Sequence, residues 1–113
     1  MKIYHNPKCS KSRQTLELLK SKTSEFEIIE YLKEPLDFDN IEVLLLKLEI
    51  QPKDLVRTNE TIWKENYKGK ELSDDNIIKA MVDNPKLIER PIVVHNNKAV
   101  IGRPPENILS LFA

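Results

Sequence analysis

The chain has 113 residues, 40% of them hydrophobic and 32% charged, with 18 Lys and Arg balanced by 18 Asp and Glu. That length suits a single domain with one modest core, and the even charge points to neither a disordered tail nor a broad cationic face, so nucleic acid is not an expected partner. No apolar stretch is long enough to span a bilayer and "MKIYHNPKC" lacks the apolar segment of a secretory signal, so a cytoplasmic protein without membrane contact is expected.

"KIYH" is short and apolar and is followed by the turn-initiating pair Asn6-Pro7, which predicts a buried strand stopping just before Cys9. Leu16 and Leu19 then recur at helical spacing, predicting a helix from about Ser10 to Lys22. "EFEIIEYL" (25 to 32) reads as a second strand, closed by Pro35. From Leu36 to Ile50 the set Ile41, Leu44, Leu45, Leu48 marks one helix face, with Asp39 and Glu42 as the expected capping box. "PKDLVRTNETIWKENYKGK" is weakly periodic and suggests short helical turns and a loop ending at Gly69, with Trp63 and Tyr67 as packing residues. Ser73 is the expected N-cap of a further helix that ends before Pro85.

The last segment contains two apolar runs, Ile92 to Val94 and Ala99 to Ile101, around Asn96-Asn97, whose side chains tolerate the positive φ of a two-residue hairpin turn. Such a loop pairs His95 with Lys98, Ile92 with Ile101 and Arg90 with Arg103. Pro104 and Pro105 suit the start of a final helix in which Ile108, Leu111 and Phe112 share a face. The order of elements is that of a small mixed sheet with helices around it.

Cys9 is the only cysteine. It cannot form an internal disulfide, so any redox chemistry must take its second thiol from another molecule. A lone cysteine is most often a buried structural one. Here, however, the sulfur lies at a helix N-terminus, where unpaired N–H groups and the helix dipole favour a thiolate, and Lys8, Lys11, Arg13, Ser10 and Ser12 surround it. His5 stands four residues earlier, but His5 and Cys9 without a further ligand cluster do not make a zinc site, and no metal is expected. His5 reads instead as a hydrogen-bonding neighbour of the loop.

The chain has 14 lysines and only four arginines, Arg13, Arg57, Arg90 and Arg103. Where Lys is the default cation, Arg marks positions that need a planar fork of donors, as oxyanion recognition does. Two guanidinium groups facing each other at one hairpin end are destabilising unless something negative sits between them, which points to an anion or a carboxylate partner at Arg90 and Arg103. Arg57, in "DLVRTNET", is weaker evidence by itself, since an Arg at the end of a helical turn is usually a solvated or capping residue.

"IYHNPKCSKSRQTLELL", "LVRTNE", "LIERPIVV" and "IGRPPE" resemble, in order and over essentially the whole chain, the motifs of the glutaredoxin-coupled arsenate reductase family. The resemblance implies an α/β thioredoxin-like fold as one domain over residues 1–113, with a helical insertion at about 36–88 between an N-terminal βαβ and a C-terminal ββα unit, and a cis bond before Pro91. It implies that Cys9 attacks arsenate, that Arg57, Arg90 and Arg103 hold the oxyanion, and that His5, Ser12 and Arg13 support the cysteine loop. Glutathione as co-substrate and glutaredoxin as partner would complete reduction to arsenite, with no tightly bound cofactor, in a monomer. "CSKSR" stands where "CGTSR" is common in that family.

Two other functions fit the same superfamily: a glutathione-dependent thiol reductase, and a non-enzymatic regulator that binds RNA polymerase. The C-x-x-C switch usual in such regulators is absent, because Ser12 occupies its second position. A phosphatase-like arsenate reductase needs C-x5-R, and Thr15 stands where that arginine would be.

Overall fold

The computed structural model describes all 113 residues, and they fall into two compact units. One is discontinuous, Met1–Glu34 with Arg90–Ala113, and the other is Pro35–Glu89. No helix is long and apolar enough to cross a membrane.

The first unit is built on a four-stranded mixed sheet of order β2-β1-β3-β4, formed by β1 (Lys2–Tyr4), β2 (Glu27–Ile29), β3 (Ile92–His95) and β4 (Lys98–Ile101). β1 pairs parallel with β2, and helix α1 (Ser10–Lys22) makes the crossover that a parallel pair requires. β3 runs antiparallel to β1 and to β4. The hairpin register is the one expected, Ile92 with Ile101 and His95 with Lys98, and Asn96 takes the positive φ of 54° at the turn. Ile3 and Val93, paired across β1 and β3, face the same side, where Leu16 and Leu19 of α1 and Ile108 and Leu111 of the C-terminal 3₁₀ helix (Pro105–Phe112) bury them.

Three expectations in this unit change. β2 is shorter than the apolar run, since only Glu27–Ile29 pair with β1. The final helix is 3₁₀, so side chains three apart superimpose: Ile108 and Leu111 are buried and Phe112 turns out to solvent. Arg103-Pro104 is a cis bond in addition to Arg90-Pro91.

The second unit is helical: α2 (Phe38–Leu48), α3 (Pro52–Leu55), α4 (Thr61–Asn66), α5 (Asp74–Asp83) and a 3₁₀ turn, Pro85–Leu87. Its core joins Ile41, Leu44 and Leu45 of α2 to Leu55, Ile77, Ile78, Met81 and Leu87. The cap of α2 is Asp37, not Asp39: the Asp37 carboxylate accepts from the Asn40 N–H at 2.7 Å, and the Asn40 side chain accepts from the Asp37 N–H at 3.1 Å. This reciprocal pair satisfies two orphan donors, as a Ser-to-Glu box does. Ser73 caps α5 as expected, its hydroxyl accepting from the Asn76 N–H at 3.2 Å. Gly69 ends the intervening loop with φ 82°, a left-handed conformation that favours glycine. Trp63 and Tyr67 stack on each other at 5.3 Å.

Candidate active site

Asn6 turns the chain out of β1. Its side-chain oxygen accepts from the Lys8 N–H, and its carbonyl from the Cys9 N–H, both at 3.0 Å. Cys9 thereby arrives as the N-cap of α1 with extended backbone (φ −95°, ψ 123°), and its carbonyl takes the first helical bond from the Arg13 N–H at 3.0 Å. Arg13 is exposed and donates Nη1 to the Pro7 carbonyl at 2.9 Å, closing the loop from outside.

Beneath the loop, Ser12 is fully buried. Its Oγ accepts from the Asn6 N–H at 3.0 Å and lies 2.6 Å from Nδ1 of buried His5. The hydroxyl has a second lone pair and its own proton, so it pairs with Nδ1 in either imidazole tautomer: it donates when the ring proton is on Nε2 and accepts when it is on Nδ1. Burial holds His5 below its ordinary value; Glu30 opposes this, while Lys20 and Arg13 add to it.

Cys9 is half-buried. Burial pushes its thiol up, but the Ser12 N–H, the Arg90 guanidinium through hydrogen bonding and charge, and the Lys11 N–H outweigh it, so the net shift is downward. Sγ makes no formed cap hydrogen bond, so the two backbone groups act as dipoles aimed at the sulfur. Arg103 Nη1 stands 3.9 Å from Sγ. Two cations thus reach one thiol from residues more than eighty positions away in sequence.

The hairpin end explains how. Beyond the last strand pair, the Gly102 N–H donates to the Pro91 carbonyl at 2.9 Å, so the residues flanking that bond, Arg90 and Arg103, leave the sheet together. Asn107 Nδ2 donates to the Ile101 and Arg103 carbonyls at 3.1 Å and holds the strand exit. Arg57 belongs to the second unit, where it donates to Glu89 at 2.8 Å and to Glu60 at 3.2 Å.

The first unit therefore gathers Cys9, Arg90, Arg103, His5, Ser12 and Arg13 around one loop. Sequence reasoning missed Thr15 and Gly102, whose hydroxyl-to-carbonyl bond of 2.7 Å joins α1 to the hairpin end. The available signal was that Gly102 is one of only two glycines and adjoins Arg103-Pro104.

A model of the ArsC family matches residues 4–111. The uncharacterized protein YfgD of Escherichia coli is 51% identical over 113 residues, covering 98% of this chain and 95% of that protein. An arsenate reductase of Haemophilus influenzae is 40% identical over 111 residues, covering 96% of each. Among solved structures, an arsenate reductase from Vibrio cholerae superposes with a TM-score of 0.92 at 44% identity, over 97% of both chains. The mixed sheet with its flanking helices is the thioredoxin-like fold that these relatives share.

Proposed function

Because the chain belongs to the ArsC family, we propose that it is an arsenate reductase-like oxidoreductase in which the Cys9 thiolate attacks an oxyanion held by Arg90 and Arg103. The observation that carries this reading is the convergence of two guanidinium groups on one thiol: Arg90, which favours its ionisation, and Arg103, whose Nη1 lies 3.9 Å from the sulfur.

Arsenate presents negative oxygens to an incoming thiolate, so the reaction needs that charge offset before sulfur and arsenic can approach. Guanidinium groups already fixed at the site do this with little reorganisation as charge develops. Their planar donors suit the oxygens of a tetrahedral anion better than lysines would. The same cations keep sulfur in its nucleophilic form. Sulfur then displaces one oxygen, which leaves as water after protonation, and an S–As(V) bond forms.

Glutathione supplies the second thiol in this reading. Its thiolate attacks the Cys9 sulfur, the S–As electron pair goes to arsenic, and arsenite leaves as As(III). The mixed disulfide left on Cys9 is opened by a glutaredoxin thiolate attacking the glutathione sulfur, which frees Cys9 for another cycle. The single cysteine supports this division of labour, since the chain holds no resolving thiol. The buried Ser12–His5 pair keeps the loop in place and leaves the Ser12 N–H directed at sulfur. A contribution from Arg57 belongs to the same reading and rests on the resemblance alone.

The test is arsenite formation by the purified chain with arsenate, glutathione and glutaredoxin, each omitted in turn. Turnover that needs all three and disappears in Cys9→Ser supports the proposal. No arsenite from the complete mixture, with Cys9 still reactive toward an alkylating reagent, overturns it.

A further inference from the structure

Thr15 is fully buried on α1, six residues beyond Cys9, and polar. Its hydroxyl donates to the Gly102 carbonyl at 2.7 Å, spanning 87 residues of sequence. On the other side of the same residue, the Gly102 N–H donates to the Pro91 carbonyl at 2.9 Å. Gly102 is packed so tightly between these partners that a Cβ there would lie 2.6 Å from Thr15 Cγ2, 3.0 Å from Thr15 Oγ1 and 3.2 Å from Pro91 Cγ. One residue thus meets α1 and the Pro91 backbone at once. The residues beside these contact points are Arg90, preceding Pro91, and Arg103, following Gly102.

We infer that Thr15 is a positioning residue for the Cys9 site: through Gly102 it fixes the backbone from which Arg90 and Arg103 reach the sulfur. The helix that presents Cys9 is the helix that carries Thr15, so the bond ties the nucleophile and its cations to one rigid element. Without it, the hairpin end keeps its own Gly102–Pro91 bond but loses its polar tether to α1, and both guanidinium groups can drift from Sγ together. A buried carbonyl is also left without its donor, which favours a shift of the strand exit toward another partner. Small displacements matter here, because electrostatic support depends on donors already placed where charge develops.

The inference rests on the oxyanion-site reading for its functional consequence, but its geometry can be tested without arsenate. Thr15→Ser and Thr15→Ala both lose the methyl group and add no atoms to the crowded contact; they differ only in the hydroxyl. The ultraviolet absorbance of the Cys9 thiolate is titrated in each. Thr15→Ser is expected to titrate like the wild type, and Thr15→Ala higher by roughly half a unit or more, an amount within reach of a displaced neighbouring charge. If wild type turns over arsenate, Thr15→Ala should raise KM several-fold more than it lowers kcat, and Thr15→Ser should restore both. The difference between the two variants should vanish when Arg90→Ala and Arg103→Ala are combined in the background. Identical titrations for Thr15→Ser and Thr15→Ala, or a difference that persists without the arginines, would overturn the inference. A wild type inactive on arsenate would sink the proposed function, whereas the role of Thr15 would then be decided by the titration alone.

Discussion

Replacing Arg103 with alanine removes the guanidinium whose Nη1 lies 3.9 Å from Cys9 Sγ. Two unit charges about 4 Å apart interact by about 1 kcal/mol in bulk water and about 4 kcal/mol at an effective dielectric near 20. Sγ is half-buried and the guanidinium charge is spread over three nitrogens, so the lower part of that range applies. Loss of about 1 to 2 kcal/mol of thiolate stabilisation corresponds to a rise of roughly one pKa unit. The sign follows from which form the cation supports: the thiolate loses a favourable partner and the thiol does not. Thiolate absorbance followed against pH measures the shift directly. Arg103→Lys keeps a charge on a flexible stem and should recover part of it, and added salt should shrink the gap between wild type and Arg103→Ala. An Arg103→Ala protein titrating at the wild-type midpoint in low salt would mean that Arg103 gives the thiolate no support, leaving that role to Arg90 and the helix N-terminus.

Other expectations follow from the same structure. Gly102→Ala forces a Cβ to within 2.6 Å of Thr15 Cγ2 and should cost about 1–3 kcal/mol in denaturant unfolding; combining it with Thr15→Ser, which lacks that methyl, should recover much of the loss. Asp37→Ala breaks the reciprocal cap of α2 and should cost about 1 kcal/mol by the same measurement. Burial, aided by Lys20 and Arg13 against Glu30, keeps folded His5 below its ordinary 6.5, so the unfolded chain takes up the proton first and stability falls as pH drops from that value through the folded one. The drop in denaturation midpoint between about pH 7 and pH 5 should accordingly be smaller in His5→Asn, whose side chain does not titrate there.

Elements governed by local rules are legible from sequence. Hairpin register follows from a two-residue turn at Asn96-Asn97 between two apolar runs, and the bounds of α1 follow from the loop before it and the spacing of Leu16 and Leu19. Pattern alone misplaces the cap of α2 by two residues because "LDFDNIE" offers two aspartates, each with a possible partner three positions on, and only the folded helix decides between them. A helical period of 3.6 puts Phe112 on a buried face, whereas the chain there adopts three residues per turn. At the site, Cys9, Arg90 and Arg103 can be selected by residue type and hairpin pairing, since scarcity of arginine and isolation of the cysteine are visible without coordinates. Thr15 cannot, because its role depends on a contact to Gly102 across 87 residues that no local pattern encodes. The pairing of Arg57 with Glu60 and Glu89 is equally hidden: one partner lies three residues away, the other 32.

Arsenate added during a Cys9 thiolate titration reads out whether Arg90 and Arg103 hold an oxyanion against the Cys9 sulfur. An anion bound to the guanidinium groups offsets their charge, and an S–As bond removes the free thiolate, so both events lower thiolate absorbance at a fixed pH. The wild type should lose absorbance in a saturable, arsenate-dependent manner, and Arg90→Ala and Arg103→Ala should each need several-fold more arsenate for the same change. A wild-type thiolate signal indifferent to arsenate at every concentration would mean that Arg90 and Arg103 hold no such anion at the sulfur.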